Sequence, residues 1–382
     1  MLDQMGVKKI KMKIAYISPH YGYIFRGNER GTADQVRYLR ARGHEVDIFG
    51  LGESSDVVIN SMRKDKGVGK LSAAFADNLP VRGFMCKYLG YSPNIEDVAF
   101  SLRVEKDLER MIAMRDYDIL WSMGEIWSNI LCNKIRKKHG IPYVSFFGGG
   151  MSAMMLQIAK LYPNVYAVMT PEMTEYVKKN VPKCNVFTTV GGIDLNFFNP
   201  DGCKKGIDYD LLERPIVVSS AAFIESKRLH LIIKAMHKLG HGTLMMTSDG
   251  PLKDKICALG KKLLGDRFIY FGVIPFESMP ALYRTADMYV SSSRNEPYGR
   301  SLLECMGCNT PVVAEKDRTR KWTVDKGGVL VDDCSNIDDL AKAINAVYCD
   351  IPWRNKPRRQ AEKFSWDRTI DDYLVEIEKV LT

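Results

Sequence analysis

No apolar run in this sequence approaches the roughly twenty residues that a membrane-crossing helix needs. The first thirteen residues are basic and hold no apolar core, so no secretory signal is read there. Cysteine is present but disorganised. Its nine residues are odd in number and scattered, which excludes a disulfide framework and points to reduced thiols in a cytosolic setting. Cys305-Met306-Gly307-Cys308 stands alone, with no second pair and no neighbouring histidines, and reads as small residues packing a buried helix. Histidine is scarce, six in all. No G-x-G-x-x-G follows the first strand, since Gly22, Gly27 and Gly31 do not supply that spacing, and a dinucleotide-dependent oxidoreductase is set aside.

What remains is an ordinary globular composition, 46% hydrophobic and 26% charged, in a chain of 382 residues that can build two or three cored domains. The net charge is +9, and most of the excess lies in the first two hundred residues. That bias suits an anionic acceptor or an anionic membrane surface. It has no nucleic-acid motif behind it. The expected location is the cytoplasm, with peripheral membrane contact as the reading that the basic half admits.

Short apolar β-prone runs alternate with helical stretches along both halves. In the first half the strands are Lys13–Ile17, Glu45–Phe49, Tyr117–Trp121, Pro142–Phe147 and Val165–Met169, with a loop over Ser18–Gly31 and a helix over Thr32–Arg42 closed by Gly43. Residues 52–100 give no readable pattern. In the second half the strands are Pro215–Ser220, Leu244–Thr247, Arg267–Val273, Met288–Val290 and Pro311–Ala314, with helices over Leu229–Leu239 and Met279–Ala286. Repeated β-α-β order predicts two Rossmann-like domains facing across a cleft, with ligands at the carboxyl ends of the strands. The polar stretch Cys203–Arg214 reads as the linker.

The stretch from Ser291 to Glu304 concentrates the chemistry. A strand leads into a loop holding Glu296, Pro297 and Gly299, and a short helix starts near Arg300. The helix start offers free N–H groups and a positive dipole end to an anion. Glu304 falls inside that helix between Leu302, Leu303, Cys305 and Met306, where a carboxylate is costly unless donors surround it. Sugar hydroxyls are such donors.

Glu296, Tyr298, Gly299 and Glu304 resemble the E-x7-E signature of the retaining GT-B glycosyltransferases of family 4. Arg42-Gly43-His44-Glu45-Val46, Asp249-Gly250-Pro251 and the run from Val190 to Pro200 are similar to further motifs of that family. The resemblance implies an α/β GT-B fold. Residues 1–200, with a returning helix at 366–382, would form the acceptor domain, and residues 201–365 the nucleotide-sugar donor domain. It implies transfer of a hexose from a UDP- or GDP-sugar to a hydroxyl of a glycan, lipid or small molecule, with retention and without metal or other cofactor. Asp116-Tyr117-Asp118 and Asp208-Tyr209-Asp210 are read as non-metal sequences.

By the same resemblance Lys227 pairs with the diphosphate, Glu304 with the ribose and Glu296 with the transferred sugar. The remaining donor contacts fall on Arg228, Gly250, Phe271, Val273, Tyr298, Gly299, Arg300, Ser301 and Leu302. The acceptor or sugar side falls on Tyr21, Arg26, Arg30, Gly31, Phe147 and Gly148. Two positions depart from the family: Phe147 stands where a histidine is common, and Ala222 where an arginine is common. Arg228, Arg294 and Arg300 are the candidates to replace that lost cation. A sugar-nucleotide epimerase of the same fold and a catalytically silent sugar-nucleotide-binding protein are the competing readings.

Overall fold

The computed structural model describes residues 11–19, 21, 27–50, 57–58, 95–123, 126–202, 211–294, 296, 298–349 and 352–382. The chain divides into two compact units, Met1–Gly192 with Trp366–Thr382, and Ile193–Ser365.

The first unit is built on β1 (Lys13–Ile17), β2 (Glu45–Gly50), β3 (Val57–Val58), β4 (Ile119–Met123), β5 (Tyr143–Phe147), β6 (Val165–Val168) and β7 (Val186–Thr188). All pair in parallel in the order β3-β2-β1-β4-β5-β6-β7. Continuous apolar runs such as Ile14–Ile17 and Ile119–Trp121 are buried throughout, as a parallel sheet covered on both faces requires. The helices are α1 (Gly27–Ala41), α2 (Ile95–Arg115), α3 (Ile126–His139), α4 (Ala153–Ala159) and α5 (Pro171–Asn180). Thr170 starts α5 by accepting a hydrogen bond from the Met173 amide at 3.2 Å, with Pro171 in the first turn.

The helix expected from Thr32 begins at Gly27 instead. Gly31 therefore lies inside α1 and not in a loop, and its amide belongs to helical backbone. The run Asn28-Glu29-Arg30 carries no breaker, so the helix reads through it. In the uninterpreted part of the sequence the structure places α2, whose Val104, Leu108 and Ile112 join the core with Leu120, Leu131, Ile135 and Tyr143.

The second unit contains β8 (Ile216–Ser219), β9 (Thr243–Met246), β10 (Phe268–Tyr270), β11 (Met288–Ser291), β12 (Val312–Glu315) and β13 (Gly328–Val331), parallel in the order β10-β9-β8-β11-β12-β13. Its helices are α6 (Leu229–Leu239), α7 (Lys253–Leu264), α8 (Met279–Thr285), α9 (Arg300–Gly307), α10 (Arg318–Thr323), α11 (Ile337–Cys349) and α12 (Lys356–Glu362). One core gathers Ile232, Ile233 and Met236 of α6, strand residues such as Val217, Met288 and Val313, and Leu340 and Ile344 of α11. The chain winds outward from β8 to β10 and then returns to the other side of β8 at β11. That reversal leaves a crevice at the carboxyl ends of β8 and β11, the place where doubly wound sheets take ligands.

The last helix, α13 (Trp366–Leu381), belongs to the first unit. Arg42 holds it by hydrogen bonds to Asp367 and Asp371 at 3.0 and 3.1 Å. Tyr373 packs on Trp121 with ring centres 4.7 Å apart. Gly192 leaves no room beside Trp366, because a Cβ there would lie 2.4 Å from the indole. Gly192→Ala should accordingly displace Trp366 and lower stability by about 1–3 kcal/mol. Urea unfolding of the variant checks this; an unchanged midpoint contradicts the packing.

Candidate functional site

The loop after β8 passes through Ser220, Ala221 and Ala222 into a single tight turn at Glu225–Lys227, then Arg228 in the left-handed region (φ 50°), and α6 begins. The loop after β11 runs from Ser292 to Gly299, and α9 follows. Backbone and side chain staple the two together. The Arg294 amide donates to the Ser226 carbonyl at 3.2 Å, and the Ser292 hydroxyl points at the carbonyls of Lys227 and Arg228, each at 2.9 Å.

Across this staple the Lys227 ammonium donates to the Glu296 carboxylate. Both side chains keep about a fifth of their surface exposed, 21% and 22%, so the pair is reachable by a ligand. Gly299, at φ 79°, sits at the start of α9, where a Cβ would come within 2.9 Å of Leu302 and 3.7 Å of Glu296. The positive φ is what favours glycine there, since the nearest atom a Cβ would meet is the flexible end of Leu302. Leu302 donates its amide to the Gly299 carbonyl.

Glu304 is 7% exposed and answered on both oxygens. Arg300 Nε lies 3.3 Å from one, and the Tyr283 hydroxyl donates to the other at 3.2 Å. A carboxylate only accepts, so the phenol that gives its proton to Glu304 accepts in turn from Ser220 Oγ at 2.9 Å. Burial, followed by the charge of Glu304, pushes the Tyr283 phenol well above its usual range and keeps it a donor. A parallel link joins the Tyr289 hydroxyl to Ser301 Oγ at 3.0 Å.

The three arginines considered for the position of Ala222 each face a carboxylate. Arg228 donates to Glu315 Oε2 at 2.6 Å; Arg294 donates to Glu315 Oε1 at 2.9 Å and to Asp333 at 3.0 Å. Arg300 faces Glu304. Glu315 also accepts from the Cys334 amide at 3.1 Å. Burial alone would raise its carboxyl pKa, but the Arg294 hydrogen bond, that amide and the Arg228 charge outweigh it and hold the carboxyl below its usual range.

The remaining expected donor residues are spread along the same edge. Gly250 follows β9 with its α-carbon against the Phe223 backbone, where a Cβ would meet a carbonyl at 2.7 Å. Phe271 extends the β9 pairing through its amide to Met246, and Val273 is 72% exposed. The Tyr298 ring is buried at 4% exposure, and its hydroxyl meets no partner among the described residues.

In the first unit Tyr21 closes a turn on Ser18 after β1, and Gly148 follows β5. The Phe147 side chain is buried. It is 2% exposed, and its ring fills the space beneath Gly149, as expected of a large apolar side chain at a strand end. Arg30 lies in α1. Arg26, Asn295, Pro297 and Asp208–Asp210 fall outside the described residues. Asp118 accepts from the Lys13 amide at 2.7 Å, tying β4 to β1. His44 accepts from the Met12 amide through Nδ1, and burial and then Arg42 lower its pKa, so it stays a packing residue.

Sequence reasoning missed Ser220, Tyr283, Glu315 and Asp333. Glu315 carried a signal: it ends a parallel strand at the carboxyl edge. Tyr283 carried none, because only the tertiary fold brings α8 under α9.

The fold and this edge together define a pair of parallel-sheet Rossmann-like domains. Residues 210–364, nearly the whole second unit, match the family of the Glycosyl transferases group 1, so that unit carries a glycosyltransferase group 1 domain. The lipopolysaccharide core biosynthesis glycosyltransferase LpsE of Rhizobium meliloti is 28% identical over 169 residues, 42% of this chain and 49% of that protein. The chain spans about half the length of the curated relatives it matches. Among solved structures of the GT-B fold, sucrose-phosphate synthase of Thermosynechococcus elongatus superposes with a TM-score of 0.74 at 19% identity, covering 97% of this chain and 99% of that one. A glycosyltransferase of Rickettsia africae gives 0.70 at 17%, covering 97% and 98%.

Tyr283→Phe removes the hydroxyl between Ser220 and Glu304 and leaves a buried carboxylate short of one donor. It should cost about 1–3 kcal/mol in denaturant unfolding; a cost near zero would show that the contact contributes nothing.

Proposed function

We propose that the chain is a retaining, metal-independent hexosyltransferase that takes a UDP- or GDP-sugar as donor and a hydroxyl of a glycan, lipid or small molecule as acceptor. The observation that carries this reading is the Lys227–Glu296 pair, bridging the two loops at the switch point of a domain matching the glycosyltransferase group 1 family.

The pair fits a sugar diphosphate because each member matches one part of it. An incoming diphosphate competes with Glu296 for the Lys227 ammonium. Once displaced, the Glu296 carboxylate is free to accept from hydroxyls of the sugar. Lys227 then stands where negative charge grows as the glycosidic bond breaks, which stabilises the transition state more than the bound donor. The departing phosphate accepts the acceptor's proton on the same face, so no separate protein nucleophile is needed. Glu304, supported by Tyr283 and Arg300, is assigned to the ribose hydroxyls.

The two members of the pair separate in their consequences. Lys227→Ala should weaken UDP or GDP binding by about 1.5–3 kcal/mol, roughly tenfold or more. Glu296→Gln removes the competitor for that ammonium, so it should bind the nucleoside diphosphate at least as tightly as the parent while turnover falls by on the order of a hundredfold. Calorimetric titration and a donor-release assay read the two effects. Equal losses of affinity in both variants would overturn this division of roles. Chelator should leave turnover unchanged, and its abolition would overturn metal independence.

A further inference from the structure

Glu315 ends β12 one strand beyond the switch point and carries neither of the site's expected roles. Its two oxygens take different arginines, Arg228 on Oε2 at 2.6 Å and Arg294 on Oε1 at 2.9 Å. Those arginines come from the two loops that meet at the site. Arg228 directly follows Lys227, and Arg294 lies two residues before Glu296. Asp333, after β13, adds a second anchor on Arg294 at 3.0 Å and lies 3.8 Å from Arg228. The arrangement joins two cations and two anions, with Arg294 and Asp333 at its half-exposed rim.

Two further observations make the set more than surface pairing. Arg228 occupies a left-handed backbone conformation, φ 50° and ψ 35°, which a non-glycine residue adopts only at a cost. Such a conformation persists when surrounding contacts fix it, and the Glu315 bond is a contact of that kind. Glu315 itself is only 6% exposed, and its side chain and that of Arg228 are 8% and 13% exposed. Neither charge can be left alone there without a large penalty.

We propose that Glu315 is a positioning residue for the nucleotide-sugar site: by gripping Arg228 and Arg294 it fixes the loops that present Lys227 and Glu296 to the same ligand. This rests on the donor-site reading above. Glu315 touches no substrate. It acts through the backbone on either side of the pair.

The experiment is a double-variant cycle read by titration with UDP and with GDP on the full chain. Glu315→Gln keeps the shape and removes the charge, and should weaken nucleoside diphosphate binding about tenfold. Lys227→Ala should do so by tenfold or more. Because Glu315 acts through Lys227, the double variant should bind no more weakly than Lys227→Ala alone. Losses that multiply in the double variant, or a Glu315→Gln chain that binds like the parent, overturn the positioning role while leaving the donor site intact. A parent chain that binds neither nucleotide overturns the donor-site reading and this inference with it. Should Glu315→Gln fail to fold, Arg294→Gln cuts one arm of the same grip at a half-exposed side chain. It must then show the same non-additive loss with Lys227→Ala, or the inference fails.

Discussion

A charge placed at the edge of an apolar sheet has to be answered within a few ångströms, and three carboxylates at the carboxyl edge of the second unit meet that constraint. Lys227 answers Glu296, Arg300 and Tyr283 answer Glu304, and Arg228 and Arg294 answer Glu315. The cost of leaving any of these unpaired exceeds what a typical pair returns in stability. Pairing therefore dictates where the loops after β8 and β11 come to rest. The same constraint separates the pairs by availability. Glu315 is enclosed, whereas the Lys227–Glu296 pair keeps about a fifth of its side-chain surface exposed.

The strand pattern was legible because parallel strands buried on both faces must be short apolar runs. Met288–Val290 and Pro311–Ala314 announced themselves that way, each within a residue or so of the strands found, and the helix read over Leu229–Leu239 is α6. The second sheet's order was not legible, since nothing local says that β11 returns beside β8. The start of α1 was misplaced at Thr32 because glycine and polar residues resemble a loop when tertiary packing is unknown. Within the site, Lys227, Glu296 and Glu304 could be found from spacing and family likeness. Glu315 and Tyr283 could not, because their roles exist only once α8, β12 and the two loops are neighbours in space.

The departures from the family pattern also gain physical content. Ala222 stands where an arginine is common in the resembled family, and the nearby Arg228 and Arg294 pair with Glu315 and Asp333. Phe147 serves packing beneath Gly149. The matched family segment ends at residue 364, just short of α13, and the two parallel sheets agree with GT-B structures over nearly the whole chain. Fold likeness of that kind does not choose a sugar or an acceptor. The paired charges of the second unit carry the reading toward a diphosphate.

The most direct test is a crystal structure of the chain with UDP or GDP bound. A phosphate oxygen within hydrogen-bond reach of Lys227 Nζ, with the Lys227–Glu296 pair opened, is the predicted result. A bound nucleotide that leaves that pair closed and lies away from the loops after β8 and β11 would contradict the account.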